Sequence, residues 1–255
     1  MNLQDFSNGF DTLVSSYSKS SSFGETMPDI RFDEYEKSQF LTKAQEEEVL
    51  SLYNGKNPYR ESFESTEEMR RYLAPLVKEA ELSPVNNISS STFDNTYDDT
   101  FQHNAKKYIG VNGASVFFQL PDDLWFITYE SVRIDNGKCE GMKSLDVYPV
   151  TQDEYHKIKK NPFRGANDRR ALRLDLFDRG IEIVSKYNVT EYYIRYLRKL
   201  KPILLVDLDE DNMELNGYNK AQDCELHETL HQRILERAVI MALQSKGYRI
   251  DNENR

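Results

Sequence analysis

Apolar residues near the amino terminus recur at the spacing of a helix. They fall on one face of residues 3–18, which predicts a short amphipathic helix; they are Phe6, Phe10, Leu13, Val14 and Tyr17. Serine dominates residues 15–22, and this composition is typical of a flexible joint. Residues 1–30 are therefore predicted to form a flexible arm that carries one short helix.

A helical region is predicted over residues 31–82. Asp33 is suited to cap a helix that Gly55 would end. The apolar positions between these two residues share one face only roughly. The segment is therefore either one helix or two, with Thr42 capping the second. A further helix is predicted over residues 65–80.

Strand-like patterns begin after a polar, turn-rich stretch. Residues 83–105 are predicted to be a loop or linker, and residues 106–208 an antiparallel β-rich domain. The sequence Asp135-Asn136-Gly137 favours a hairpin, and a capping box at Thr151-Gln152-Asp153-Glu154 opens a short helix. Strands are predicted at residues 114–120, 124–134, 143–150, 170–177, 181–185, 190–197 and 203–208.

The chain ends in a long predicted helix. Residues 209–224 are a polar loop, Asp223 caps a helix over residues 225–247, and residues 248–255 are a polar tail. The whole pattern predicts an α+β fold. It has N-terminal helices, a central antiparallel β-rich domain with a short helix, and a long C-terminal helix.

Composition excludes several classes of protein. An aromatic content of 12% argues against wholesale disorder, no apolar run is long enough to span a membrane, and the amino terminus lacks a secretory signal pattern. Cys139 and Cys224 are too few for a disulfide framework and are expected to be free thiols in a reducing compartment. A net charge of −10 makes free nucleic acid an unfavourable principal ligand.

Charge is segregated along the chain. Residues 156–201 contain 13 Lys and Arg against 5 Asp and Glu, although the net charge of the whole chain is −10. A molecule with two opposite fields is suited to binding copies of itself, positive face to negative face. Two alternatives stay open: these charges only solvate exposed edges, or the basic block binds nucleic acid.

One short motif suggests metal chemistry. His227-Glu228-Thr229-Leu230-His231 matches H-E-x-x-H, in which two histidines one helical turn apart bind zinc and the glutamate acts as a general base. Cys224 lies three residues earlier and would share that face. Glu225 and Arg233, however, place charges where a zinc cleft excludes water. We therefore predict no metal site, and a zinc-dependent hydrolase using His227, Glu228 and His231 is the alternative function.

Several long segments resemble one family of virion proteins. In order, they span about Phe6 to Lys246 and are FDEYEKSQFLTKAQEEEVLSLYNG, LPDDLWFITYE, YPVTQDEYHKIKKNPFRGANDRRALRLD, LRKLKPILLVDL and CELHETLHQRILERAV. They are similar to a neck or head–tail connector component of crAss-like bacteriophages.

The resemblance implies a structural virion protein that is not an enzyme and has no cofactor. Copies would form a ring of twelve around the DNA channel in the neck, between the portal and the tail. The implied partners are further copies, the portal protein and adjacent neck or tail ring proteins. Contact with packaged DNA would be transient, no membrane is involved, and the protein would be made in the host cytoplasm.

The basic block offers a candidate interface between subunits. Asn161-Pro162-Phe163-Arg164-Gly165 is predicted to be a rigid, exposed loop that inserts between copies, and arginine pairs with carboxylates through two parallel bonds. Its acidic complement is sought at Glu46 to Glu48 or at Glu64, Glu67 and Glu68, unless these acids only favour helix N-termini. The predicted interface residues are Lys157, Lys159, Lys160, Phe163, Arg164, Arg169, Arg170 and Arg173.

Overall fold

The computed structural model describes residues 1–19, 30–57, 60–85, 115–135, 143–176, 179–208 and 213–248. The predicted joint from residue 20, the linker from residue 86, the Asn136-Gly137 turn, Cys139 and the tail from residue 249 lie outside these ranges. Two compact units are formed, one by Met1–Leu76 with Leu200–Arg255 and one by Val77–Lys199. We call them the helical unit and the sheet unit.

Among the described elements, three helices precede four strands, and a short helix, three further strands and a long helix follow. The helices are α1 (Leu3–Lys19), α2 (Glu34–Asn54), α3 (Glu67–Leu73, continued by a 3₁₀ turn, Ala74–Leu76), α4 (Gln152–Ile158) and α5 (Glu228–Ser245). The strands are β1 (Val77–Leu82), β2 (Val116–Gln119), β3 (Leu124–Asp135), β4 (Lys143–Val150), β5 (Arg170–Asp175), β6 (Gly180–Val184) and β7 (Asn188–Arg198). The predicted α+β class, with its C-terminal helix, is confirmed. None of the helices in the described ranges is long and apolar enough to cross a membrane.

Helix α2 is continuous and polar along one buried side. A capping box at Asp33 begins it and Gly55, in the left-handed conformation, ends it. The alternative of a second helix capped by Thr42 is wrong, because Thr42 lies in the middle of α2. Ser38, Thr42 and Gln45 are all buried, which explains why the apolar positions of α2 share a face only roughly.

The buried polar side of α2 binds the backbone of residues 201–205. The Thr42 hydroxyl accepts a hydrogen bond from the Ile203 N–H (3.0 Å), and the Ser38 hydroxyl accepts one from the Leu205 N–H (3.0 Å). The Gln45 amide donates to the Lys201 carbonyl (3.0 Å). Helix side chains thus satisfy backbone groups that a sheet would otherwise pair. The strand predicted at residues 203–208 is wrong for this reason, and only an isolated bridge between Leu204 and Gln222 forms there.

Helix α5 supplies much of the apolar core of the helical unit. It packs against α1 and α2, and α1 contributes the fully buried rings of Phe6 and Phe10. The helix begins later than predicted, because its N-cap is His227 rather than Asp223. The buried apolar side of α5 consists of Leu230, Ile234, Leu235, Ala238, Val239, Ala242 and Leu243.

Helix α3 is shorter than the sequence predicts. The predicted helix over residues 65–80 is wrong from Val77 onward, where β1 begins. Pro75 has no N–H for helical bonding and interrupts the helix. Residues 77–82 instead pair with β7, in a register that runs from Val77–Leu197 to Leu82–Tyr192.

The sheet unit contains one curled sheet with the strand order β1-β7-β3-β4-β5-β6-β2. Its pairs are antiparallel except β4 with β5, which are parallel because α4 crosses between them. The central domain is therefore mixed rather than wholly antiparallel. The Val85 N–H donates to the Phe117 carbonyl (2.8 Å). This hydrogen bond brings the chain beyond β1 to β2, at the other end of the strand order.

Side chains alternate between the two faces of the curled sheet. The inner face carries one buried cluster, consisting of Phe118, Val132, Ile134, Leu145, Val147, Ala171, Ile181, Ile183, Val189, Tyr192, Ile194 and Tyr196. The outer face of β5 and β6 is covered by α4, where Tyr155 and Ile158 pack on Leu172, Leu174 and Val184. The chain leaves the sheet at the end of β4, passes through α4 and returns to the sheet as β5.

Candidate assembly surface

The connection from α4 to β5, residues 159–169, is an exposed basic segment of the sheet unit, and we call it the basic loop. Phe163 lies in it with 84% of its surface exposed. This exposed fraction is the highest among the large hydrophobic side chains of the described residues, and aromatic side chains are enriched at interfaces. The exposed predicted interface residues in and beside the loop are Lys157, Lys159, Lys160, Phe163, Arg164 and Arg169.

The side chain of Asn161 holds the backbone of the basic loop. Its Oδ1 accepts hydrogen bonds from the N–H groups of Phe163 (2.9 Å) and Arg164 (3.3 Å). The Gly165 N–H donates to the Asn161 carbonyl (2.7 Å). A Cβ atom at Gly165 would lie 2.7 Å from that same carbonyl, so the turn requires glycine.

Arg170 joins the loop to the sheet. Its Nη1 donates to the Phe163 carbonyl (3.2 Å), and its guanidinium carbon lies 4.1 Å from the centre of the Tyr148 ring. The planar guanidinium of arginine is attracted to the face of an aromatic ring. Arg170 is half-buried and positions Phe163, whereas the arginines nearer the loop tip extend into solvent.

The cations in and beside the loop are uncompensated within the described residues. No ion pair in these residues involves Lys157, Lys159, Lys160, Arg164 or Arg169. A group of unpaired cations on one loop attracts a carboxylate-bearing partner over about a Debye length, roughly 8 Å at physiological salt.

Arg173 is separated from this group. Only 11% of its side chain is exposed, and it pairs with Glu130 (Nη1–Oε2, 2.9 Å) and with Asp175 (Nε–Oδ1, 2.9 Å). The Tyr192 hydroxyl donates to the same Glu130 oxygen (2.6 Å). Burial raises the pKa of Glu130 despite the attraction of Arg173, and burial also raises the pKa of Tyr192. Arg173 thus stabilises the interior of the sheet unit, and the structure does not bring it to the basic loop.

Four of the acids considered as the complement, Glu47, Glu48, Glu67 and Glu68, have partners inside the helical unit. Glu48 is buried and pairs with Arg233 (3.0 Å), while Glu47 pairs with Arg237. Glu67 pairs with Arg71 along α3 (2.6 Å), and Glu68 accepts a hydrogen bond from the Tyr72 hydroxyl. Burial raises the pKa of Glu46. These contacts give Glu47, Glu48 and Glu67 a role within their own chain.

The histidines of the H-E-x-x-H motif have structural partners. The His227 side chain caps α5 by accepting from the Thr229 N–H. His231 is buried; its Nε2 lies 3.0 Å from the Leu226 carbonyl and its Nδ1 lies 3.0 Å from the amino group of Met1. A neutral imidazole with its proton on Nε2 satisfies both contacts. Burial accordingly lowers the pKa of His231.

Cys224 is a free thiol whose pKa burial raises to about 11. A thiol with a raised pKa is protonated at neutral pH, and the protonated form is a poor nucleophile. Among the described residues, no three His, Cys, Asp or Glu side chains are grouped as a metal site requires. These contacts do not support the hypothesis of a zinc-dependent hydrolase.

Sequence reasoning missed a cavity of about 420 Å³ in the sheet unit. Its volume lies within the range of roughly 300–1,000 Å³ that is usual for binding cavities. Residues from four separate strands and the turns beside them line it, so no local sequence motif marks it. We call it the mouth cavity. Its apolar lining includes Leu120, Leu124, Trp125, Phe126, Ile127 and Ile181, and the charged side chains of Glu130, Arg173, Asp175 and Arg179 also line it.

The amino-acid sequence matches the family described as phage tail ring protein 3/4 over residues 1–254. The chain belongs to this family. Membership confirms the resemblance to crAss-like phage ring proteins, and it assigns the exposed basic loop to a structural protein of the phage.

Two similar proteins occur in Bacteroides phage crAss001. The protein named "Ring protein 3" is 41% identical over 249 residues, which cover 96% of each chain. The protein named "Ring protein 4/5" is 28% identical over 250 residues, which cover 95% of this chain and 92% of the relative. Full-length similarity to proteins with these names supports a structural role for the family member described here.

Proposed function

We propose that this protein is a non-enzymatic virion component that forms a ring of twelve copies in the phage neck. The ring surrounds the DNA channel between the portal and the tail. Full-length similarity to crAss001 proteins named as ring proteins carries this proposal. The neighbours of the ring are the portal protein and adjacent neck or tail ring proteins.

The basic loop gives this proposal a physical basis. A ring forms when one patch of a subunit binds a different patch of the next subunit and the rotation closes. Phe163 provides an apolar anchor for such a patch, and the surrounding exposed cations select an acidic partner surface. The backbone bonds of Asn161 hold the patch in one conformation before binding, which lowers the entropic cost of association.

Self-association of the purified full-length chain tests the proposal. Negative-stain images and light scattering, with and without portal protein, are expected to show closed rings. Because exposed ion pairs are screened, ring formation is expected to weaken as salt rises from about 0.1 to 1 M and the Debye length falls from about 10 to 3 Å. The double variant Arg164→Glu/Arg169→Glu is expected to assemble poorly at low salt.

The matched control changes two exposed lysines outside the basic block. Lys56→Glu/Lys220→Glu alters net charge by the same amount and is expected to assemble like the natural chain. A natural chain that stays monomeric in both conditions contradicts the proposed function. Equal loss of rings in the control pair would show that total charge, and not the basic loop, controls assembly.

A further inference from the structure

In the proposed ring the basic loop supplies one half of a head-to-tail contact, which requires a second, different patch on the same copy. We propose that Phe163 of one copy inserts into the mouth cavity of the next copy. This inference rests on the proposed function, because it names the contact through which the copies of the ring join.

The loop and the cavity lie at opposite ends of β5. The basic loop enters β5 at Arg170, whereas Asp175, at the other end of the strand, lines the cavity. Five residues separate these ends, which at about 3.3 Å per residue is roughly 17 Å. Leu120 after β2 and Leu124 at the start of β3 line the same end of the sheet. Patches at opposite ends of one sheet cannot pair within a single copy, so they join copies in series.

The cavity fits an aromatic side chain chemically. Trp125 and Phe126 stack with a ring-centre separation of 5.0 Å at one part of its lining, and aliphatic side chains such as Ile127 and Ile181 complete the apolar wall. Insertion of Phe163 would bury an aromatic ring that is now exposed to water, which favours association. The loop geometry held by Asn161 and Arg170 presents that ring without further ordering.

Carboxylates in and beside the cavity also favour the basic loop, since Asp175 lines the cavity and Asp122 pairs with Arg179, which lines it as well. Asp122 and Asp175 are 96% and 65% exposed, whereas their ion-pair partners, Arg179 and Arg173, are 42% and 11% exposed. The carboxylates therefore face solvent more than the cations that they pair with. Arg164 and the lysines preceding Phe163 would meet this rim as the ring enters, which attracts the loop and orients it.

Loss of the aromatic ring or filling of the cavity is expected to prevent the contact. Phe163→Ala is expected to weaken self-association by between about 10- and 100-fold, as the loss of a buried aromatic anchor predicts. Leu176→Trp, at the cavity end of β5, is expected to weaken it similarly by occupying the cavity. Sedimentation and light scattering on the full-length chain measure both effects.

A mixture of the two variants distinguishes a head-to-tail contact from general damage. Phe163→Ala retains an intact cavity and Leu176→Trp retains an intact Phe163, so the mixture has one working pair. At a concentration at which each variant alone is monomeric, the mixture is expected to give a one-to-one dimer that grows no further. Circular dichroism of each variant checks that both are folded, and Phe163→Leu supplies a second, milder change at the loop.

The control is Tyr218→Ala, which removes an exposed aromatic side chain (37% exposed) from the helical unit. It is expected to leave assembly unchanged. Natural chain that forms rings while Phe163→Ala forms them equally well overturns this inference and leaves the proposed function standing. Folded variants whose mixture stays monomeric also overturn it. Natural chain that never assembles overturns the proposed function itself.

Discussion

Arg173 is a core residue of the sheet unit although it is charged. Its guanidinium pairs with Glu130 and Asp175, and Glu130 also accepts a hydrogen bond from the buried Tyr192 hydroxyl. Removing one partner of a buried pair leaves the other charge without compensation, which costs more than the pair contributes. The residue therefore contributes to the stability of the sheet.

Substitution of Arg173 is expected to destabilise the sheet unit strongly. Arg173→Met is expected to lower the free energy of unfolding by about 3–5 kcal/mol, because Glu130 would remain buried without its cation. Urea unfolding followed by the fluorescence of Trp125, the single tryptophan, reports on this unit. The control Arg133→Met breaks the exposed pair with Glu191 and is expected to cost less than about 1 kcal/mol. Equal effects of the two substitutions would contradict the structural role of Arg173.

Single residues also show where sequence reasoning reaches its limit. The exposure of Lys159, Phe163 and Arg164 follows from a polar loop with Asn-Pro and Gly, which the sequence displays directly. The burial of Arg173 depends on Glu130 and Tyr192, which lie 43 and 19 positions away on other strands. Alternation along β5 places Arg173 on the same face as the buried Ala171, but the cation's partners become evident only once the strand order is known.

At the scale of elements, the buried polar face of α2 binds the backbone of an extended segment. Ser38, Thr42 and Gln45 are three or four residues apart and therefore share one face of the helix. Together they bond the backbone at residues 201, 203 and 205. Polar residues on this buried face contribute to the fold because each has a backbone partner.

Removal of one hydroxyl from this buried polar face is expected to destabilise the helical unit. Thr42→Val leaves the Ile203 N–H buried without its acceptor, at a cost of about 1–3 kcal/mol in unfolding free energy. Thermal and urea unfolding monitored by helical circular dichroism measures the loss. Thr12→Val is the matched control, since the Thr12 hydroxyl is exposed and bonds only the Asn8 carbonyl of its own helix. Its expected effect is within about 0.5 kcal/mol. A similar loss of stability in both variants would contradict the stabilising role of the hydrogen bond to Thr42.

The elements predicted best are those whose signals are local. Asp33 and Thr151 cap α2 and α4 as predicted, because their side chains accept hydrogen bonds from the N–H groups of Glu36 and Glu154. The strand predicted at 203–208 failed because its β-branched and apolar residues bond a helix more than 150 positions earlier in the chain. Periodicity identifies buried residues in such a segment but does not identify the partner of its backbone.

At the scale of the whole molecule, one unit is inserted into another. The sheet unit is continuous, Val77–Lys199, whereas the helical unit is built from the chain on both sides of it. The sheet unit has its own apolar cluster inside the curled sheet. A separate core of this kind is the physical requirement for folding alone.

The isolated fragment of residues 77–199 is therefore expected to fold. Its circular dichroism spectrum should be that of β-structure. Heating should give one cooperative unfolding transition when it is monitored by Trp125 fluorescence. The same fragment carrying Arg173→Met is the control and should melt at a lower temperature. A natural fragment without a cooperative transition would show that the sheet depends on the helical unit for stability.

The insertion was not evident in the sequence, although its two parts were. The change from helical to strand-like patterns was visible, and so was the return to a helix at the end. The sequence did not reveal that residues 200–208 belong with the first helices, because that association depends on hydrogen bonds from α2. Nor did it reveal the mouth cavity, whose lining joins distant strands.

The pairing of β1 with β7 has a consequence for how this architecture can change. Val77 and Leu197 are register partners, so the chain crosses into the sheet and out of it at points only about 5 Å apart. A splice made there would need to bridge a gap of a residue or two. A genetic exchange that replaced the whole sheet with another domain would therefore have to match only these two closely spaced chain ends. The helices on either side of the exchanged domain would be unchanged.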